Sequence, residues 1–146
     1  MITSTEAKRL IEMEKVYSGQ PGIIYFPTHG QFLNLEFSGR QKKENFLVDI
    51  SRKYFRVTGC TFQERYRVTI PLIRLDIDGR THKNPDNTYL QCPHIHIYKE
   101  GYMDKWAYPL DTNVFPDLND IYKTMEDFFR YCNITDYPIV QEGLPL

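Results

Sequence analysis

Three of the four histidines, His82, His94 and His96, fall close together in the chain, just after Arg65, Arg67, Arg74 and Asp76. The run Cys92-Pro93-His94-Ile95-His96-Ile97-Tyr98 alternates polar and apolar side chains. A strand points successive side chains to opposite faces. Ile95 and Ile97 are therefore expected to face a core, and His94, His96 and Tyr98 to face outward together. Upstream, residues 72–78 alternate too, with Ile73, Leu75 and Ile77 on the apolar side and Arg74, Asp76 and Asp78 on the polar side. Paired as a hairpin, the two strands would carry two imidazoles, a guanidinium and carboxylates on one sheet surface.

Two kinds of chemistry use such a set. In the first, imidazoles titrating near neutral pH serve as general acid and general base, and cationic side chains stabilise the charge of a phosphoryl transition state. On that reading His82, His94 and His96 form the catalytic group and Tyr98 orients the scissile group. Arg65, Arg67, Arg74 and Asp76 contact the substrate, with Lys105 and Trp106 beyond them; aromatic rings such as Trp106 can stack bases. This leads to the main expectation, a phosphate- or RNA-acting protein of the endoribonuclease, toxin-like kind that needs no metal or cofactor. In the second chemistry, His-x-His on a strand offers two ligands of a zinc or iron site. His82, Asp76 or Asp78 would complete it, and Cys92 is a weaker candidate. A plainer alternative pairs the arginines with Glu64, Asp76 and Asp78 and leaves the histidines as hydrogen-bonded surface groups.

The elements that must hold these residues are legible. Thr3-Ser4-Thr5-Glu6 is a capping-box pattern, and the apolar stripe of Leu10, Ile11, Met13 and Val16 extends a helix over about residues 4–16. Strands are expected at 23–26, 32–37, 46–50, 53–61, 65–77 and 92–99. Pro71 lies inside the fifth, where a proline marks a bulge, an edge or a split. Asp78-Gly79 and Asn84-Pro85-Asp86-Asn87 read as turns. Leu118, Ile121, Met125, Phe128, Phe129 and Cys132 recur at helical spacing, so a helix is expected from about 118 to 132, with Asp117 as its cap. The sum is a single α+β domain over residues 1–146: a twisted antiparallel sheet flanked by an N-terminal and a C-terminal helix.

Composition narrows the class. A chain of 146 residues, 41% hydrophobic and 25% charged, suits one globular domain. No apolar run reaches the length of a membrane span, and the first residues lack a signal peptide's basic start and apolar middle. Three widely spaced cysteines without a C-x-x-C pair argue for a reducing, cytoplasmic setting. The formal charge of −1 conceals an uneven distribution, with residues 40–83 at +6 and residues 84–146 at −6. A basic middle suits a polyanion, and an acidic tail with Asp111, Asp117, Asp120, Glu126, Asp127 and Asp136 suits a basic partner. Hence the alternative of a non-enzymatic inhibitor that binds a host, phage or defence protein, or of an antitoxin-type partner. Glycine-rich phosphate loops, G-x-G-x-x-G and G-x-S-x-G motifs are missing.

Gln63-Glu64-Arg65-Tyr66-Arg67, Arg74-Leu75-Asp76, His82 with Asn84-Pro85-Asp86, residues 93–98 and Asp104-Lys105-Trp106-Ala107-Tyr108-Pro109 together carry a resemblance. The chain resembles a family of small bacterial and prophage proteins of unknown function. The resemblance implies bacterial or mobile-element origin and an intracellular protein, and supplies no catalytic residues.

Overall fold

The computed structural model describes residues 1–53 and 59–142. It begins with α1 (Ser4–Glu12), capped as the sequence predicts: the Thr3 side chain accepts a hydrogen bond from the Glu6 N–H at 3.0 Å. The helix stops four residues earlier than its apolar stripe suggests. Met13 is extended, and Lys15–Tyr17 form β1. There follow β2 (Ile24–Tyr25), β3 (Phe32–Gly39), β4 (Asn45–Arg52), β5 (Cys60–Tyr66) and β6 (Ile70–Asp76). Next come β7 (His82–Lys83), β8 (Tyr89–Leu90), β9 (His94–Ile97), β10 (Ala107–Pro109), α2 (Ile121–Tyr131), β11 (Ile134–Asp136) and β12 (Val140–Gln141). The strand expected over 53–61 is described only at its end, where Cys60 and Thr61 belong to β5; residues 54–58 lie outside the described residues. The expected 65–77 strand is split, its first residues closing β5 and the rest forming β6.

Among the described residues, the main sheet runs β10-β9-β6-β5-β4-β3-β1-β11, antiparallel except where β1 meets β11. With a helix near each end of the chain, this is the expected α+β domain. Pro71 lies beside the irregularity foreseen there. Glu64 pairs with Ile73 and Arg65 with Pro71, so Leu72 is the extra residue of a bulge. Beyond the bulge, β6 returns to strict alternation.

One face of the sheet is buried under the helices. Leu35, Phe37, Phe46, Val48, Ile50, Phe62, Leu75 and Ile95 join Leu10 of α1 and Met125, Phe128 and Phe129 of α2 in one apolar cluster. The cap of α2 is Asp120 rather than Asp117, because it is the Asp120 carboxylate that accepts from the Tyr122 and Lys123 N–H groups. Phe128 is fully buried, its ring 5.6 Å from that of Phe62. Deep in this layer, Lys15 Nζ lies 3.2 Å from Glu64 Oε2 and donates to the carbonyls of Ile11 and Cys132. The ion pair thus fastens β1, the end of α1 and the end of α2 to the middle of the sheet. Cys60, Cys92 and Cys132 are free thiols, and burial pushes Cys60 up to about 12. No helix among the described residues is long and apolar enough to cross a membrane.

The opposite face is open over β3, β4 and β5. Register places Asn34, Asp49, Gln63, Arg74 and His96 in one row across five strands. Over the β6–β9–β10 end, the chain between β6 and β9 folds back as a small flap, the β7–β8 hairpin. Its turn is built from Asn84-Pro85-Asp86-Asn87-Thr88. Asp86 Oδ1 accepts from the Thr88 N–H and hydroxyl, and Asn87 takes a φ of +70°, which asparagine tolerates better than most residues.

Two stability measurements follow. Phe128→Ala should cost about 3–5 kcal/mol in denaturant unfolding, as expected for a fully buried aromatic; a loss under about 1 kcal/mol would place the residue at the surface. Burial pushes the Glu64 carboxyl up to about 7, against the pull of the Lys15 charge. The folded state therefore holds this proton more tightly than the unfolded chain. The Glu64 contribution is full at acid pH and is lost as pH rises towards about 7. Because glutamine mimics the neutral carboxyl and does not titrate, wild type should lose stability relative to Glu64→Gln between about pH 5 and pH 7; a pH-independent difference would contradict this assignment.

Candidate functional site

The register of β6 against β9 builds the site. Arg74 lies opposite His96 and Asp76 opposite His94, so all four side chains share the open face, as the alternation in the sequence implies. Their exposure differs from the expectation. The flap covers them, and His94 and His96 are only 2% and 1% exposed. Asn84 fastens the flap by a reciprocal pair: its Nδ2 donates to the Ala107 carbonyl at 3.0 Å and its Oδ1 accepts from the Ala107 N–H at 2.8 Å. His82, also on the flap, is thereby carried over the strand histidines. Its ring centroid lies 4.6 Å from that of His96 and 5.9 Å from that of His94.

The tight connection from β9 to β10 supplies two consecutive carbonyls. The Asp104 carbonyl lies 2.8 Å from His96 Nδ1, and the Lys105 carbonyl 2.7 Å from His82 Nε2. The Gln91 carbonyl lies 3.2 Å from His94 Nδ1. Carbonyls only accept, so these three nitrogens are donors. That leaves the Nε2 atoms of His94 and His96 aimed at one carboxylate oxygen, Asp76 Oδ2, each at 3.2 Å. Asp76 Oδ1 accepts from Thr61 at 3.1 Å. Arg74 lies against the same group: Nε is 3.3 Å from Asp76 Oδ2, Nη2 is 3.0 Å from His96 Nε2, and Nη1 is 3.1 Å from Asp104 Oδ2.

The electrostatics follow from these contacts. Burial raises the Asp76 carboxyl, but the His96 contact, the Arg74 charge and the Thr61 hydroxyl outweigh it and hold the group well below the usual carboxylate range. Burial lowers His94 below an ordinary imidazole, and the Gln91 carbonyl and the Asp76 charge offset only part of that. A pocket of about 290 Å³ opens beside the cluster, lined by Lys53, Arg80, Thr81 and His82 with Arg74, Asp76, His94 and His96.

The residues singled out in the sequence divide into two groups. His82, His94, His96, Arg74 and Asp76 converge, with Lys105 present through its carbonyl. Tyr98 does not join them. The alternation ends after Ile97, and the Tyr98 hydroxyl donates to the Ile2 carbonyl from within the core cluster, beside α1. Arg65 shares the open face but is bound bidentately by Asp49 and donates to the Val68 carbonyl. Arg67 lies over the Tyr66 ring, beside a different hollow lined by Phe37, Phe46, Leu47 and Val68. Trp106 packs edge-on to Tyr102 with Lys99 Nζ 4.6 Å from its ring. Of the pairings offered as the plainer alternative, Arg74 with Asp76 forms as written, while Arg65 pairs with Asp49. The sequence reading passed over Asp104, Thr61, Lys53, Arg80 and Thr81. Asp104 had a signal, because it opens the Asp104–Pro109 motif two residues before Trp106.

An α+β domain with a half-open sheet, a flap and a carboxylate–histidine–arginine cluster beneath it defines the class. The chain belongs to a family of unknown function, DUF6978, whose model matches residues 2–134. No curated protein and no solved structure matches it.

If the Asn84–Ala107 pair holds the flap, Asn84→Ala should leave two buried backbone groups unsatisfied and cost about 1–3 kcal/mol. Amide exchange should speed up in residues 82–90 while β4 and β5 keep their protection. Uniform acceleration through the sheet would mean that the flap is not a separate unit.

Proposed function

We propose that the pocket beneath the flap is a hydrolytic site for a phosphate-bearing substrate, with RNA as the substrate class. One observation carries the reading. His82 meets Arg74, Lys53 and Arg80 around an open pocket whose floor is the Asp76–His94–His96 cluster. An anionic group entering there meets three cationic side chains, the arrangement that stabilises charge in phosphoryl transfer. His82 is the proton-transfer group: it is half-buried, lines the pocket, and is oriented through Nε2 by the Lys105 carbonyl. The buried pair, His94 and His96, directs both Nε2 atoms at Asp76 rather than outward and serves as floor.

The protein-binding alternative has less support from the acidic half of the chain. Asp120 is spent on the cap of α2, and Asp127 is buried between Lys123 and Arg130.

The test is incubation of the purified protein with labelled single-stranded and structured RNAs at low and moderate salt, with and without added Mg²⁺, Mn²⁺ or Zn²⁺. Wild type should cleave. His82→Ala should lose about 10²–10⁴-fold in rate, the usual worth of a positioned acid–base group, and Arg74→Ala should weaken binding most at low salt, where phosphate contacts are strongest. Neither binding nor cleavage under any condition would overturn the reading.

A further inference from the structure

We infer that Asp76, His94 and His96 form a binding site for one divalent transition-metal ion. The three candidate ligand atoms, Asp76 Oδ2 and the two Nε2 nitrogens, all lie within 4.8 Å of one another, with each nitrogen 3.2 Å from the oxygen. Ligands about 2.0–2.2 Å from a shared ion stand roughly 3.0–3.5 Å apart at octahedral or tetrahedral angles, so each nitrogen–oxygen spacing already suits a shared ion.

The outer contacts fit as well. Metal-bound histidines commonly donate their other ring N–H to a carbonyl or carboxylate, which fixes tautomer and ring direction. Here His94 Nδ1 meets the Gln91 carbonyl and His96 Nδ1 the Asp104 carbonyl, while Thr61 holds the remaining oxygen of Asp76. The ligands come from two directly paired strands, β6 and β9, so little ordering is left for the ion to impose. Two imidazoles and one carboxylate suit Zn²⁺, Fe²⁺ or Mn²⁺, and three protein ligands leave positions open toward the pocket, as in catalytic rather than structural sites.

Arg74 is the group that competes. Its Nη2 lies 3.0 Å from His96 Nε2, where the ion must approach, and its Nη1 already holds Asp104. Metal binding therefore requires Arg74 Nη2 to leave His96 while Nη1 keeps Asp104. This inference is independent of the substrate: an ion bound by a protein that ignores RNA would sink only the preceding proposal.

The experiment uses untagged full-length protein, stripped with a chelator and titrated with Zn²⁺ and Mn²⁺ by calorimetry, with Co²⁺ absorption as a reporter of imidazole ligation. One ion per chain should bind, with a raised melting temperature. His94→Ala and His96→Ala should each lower the affinity at least tenfold, consistent with loss of a ligand. Arg74→Ala, which keeps all three ligands, should bind as tightly as wild type or tighter. Circular dichroism establishes that each variant is folded. Absence of binding by folded wild type, affinity unchanged in both histidine variants, or abolition by Arg74→Ala would each overturn the site.

Discussion

Asp76 is the carboxylate on which the open face of this sheet depends. It is partly buried, it accepts from Thr61 on the neighbouring strand, it lies against Arg74 on its own strand, and it faces both histidines of β9. A carboxylate in that setting loses hydration and must recover it from its neighbours. Each neighbour is consequently fixed: Arg74 is turned toward Asp104, and the two imidazoles are pinned from behind by backbone carbonyls. The pairing of β6 with β9 is thereby specified twice. The apolar face specifies it through Ile73, Leu75, Ile95 and Ile97, and the polar face through Arg74, Asp76, His94 and His96. A slip of one residue would exchange the two faces and place both histidines in the apolar layer.

Buried charge is treated differently on the two sides. Under the helices, Lys15 and Glu64 are fully removed from solvent. Lys15 finds two carbonyls besides its carboxylate, whereas both Glu64 oxygens lack a well-formed hydrogen bond. A pair of this kind contributes little net stability over a well-packed apolar pair, yet leaving either member alone is severe. Its effect is to fix where β1 enters the sheet. That explains why Lys15 belongs to a strand although the apolar stripe of α1 continues in the sequence to Val16: the tertiary partner of Lys15 lies in β5, and local helix propensity gives way.

Much of the site was legible because a strand has a period of two. Arg74-Leu75-Asp76 and His94-Ile95-His96 each announce which side chains share a face, and Pro71 announces the break before them. Tyr98 was misplaced because alternation carries no mark of where a strand ends; β9 stops at Ile97, and the tyrosine turns to the N-terminal helix. The burial of the histidines was hidden too. It depends on a flap of short strands whose only sequence trace is a turn motif, and whose anchor, Asn84 on Ala107, joins residues 23 apart. The carbonyls of Gln91, Asp104 and Lys105 could not be read at all, since every residue carries one and only the fold aims it.

The charges around the pocket reconcile its two proposed occupants. In the interior, Arg74 is set against Asp76 and Asp104, so with neutral imidazoles the cluster carries an excess of one negative charge. At the rim, Lys53 and Arg80 are positive and exposed. An isolated negative excess in a partly dry cluster favours a cation, and a positive rim favours an anion. The two preferences occupy different depths of one pocket and reinforce each other, because a divalent ion at the floor would reverse the interior charge and draw a phosphate inward from Lys53 and Arg80. Arg65 lies outside this scheme for the same reason that Arg74 lies inside it. Asp49 and the Val68 carbonyl hold Arg65 through all three of its nitrogens at the open surface, whereas Arg74 divides its guanidinium among two carboxylates and an imidazole and can release one partner without losing the others.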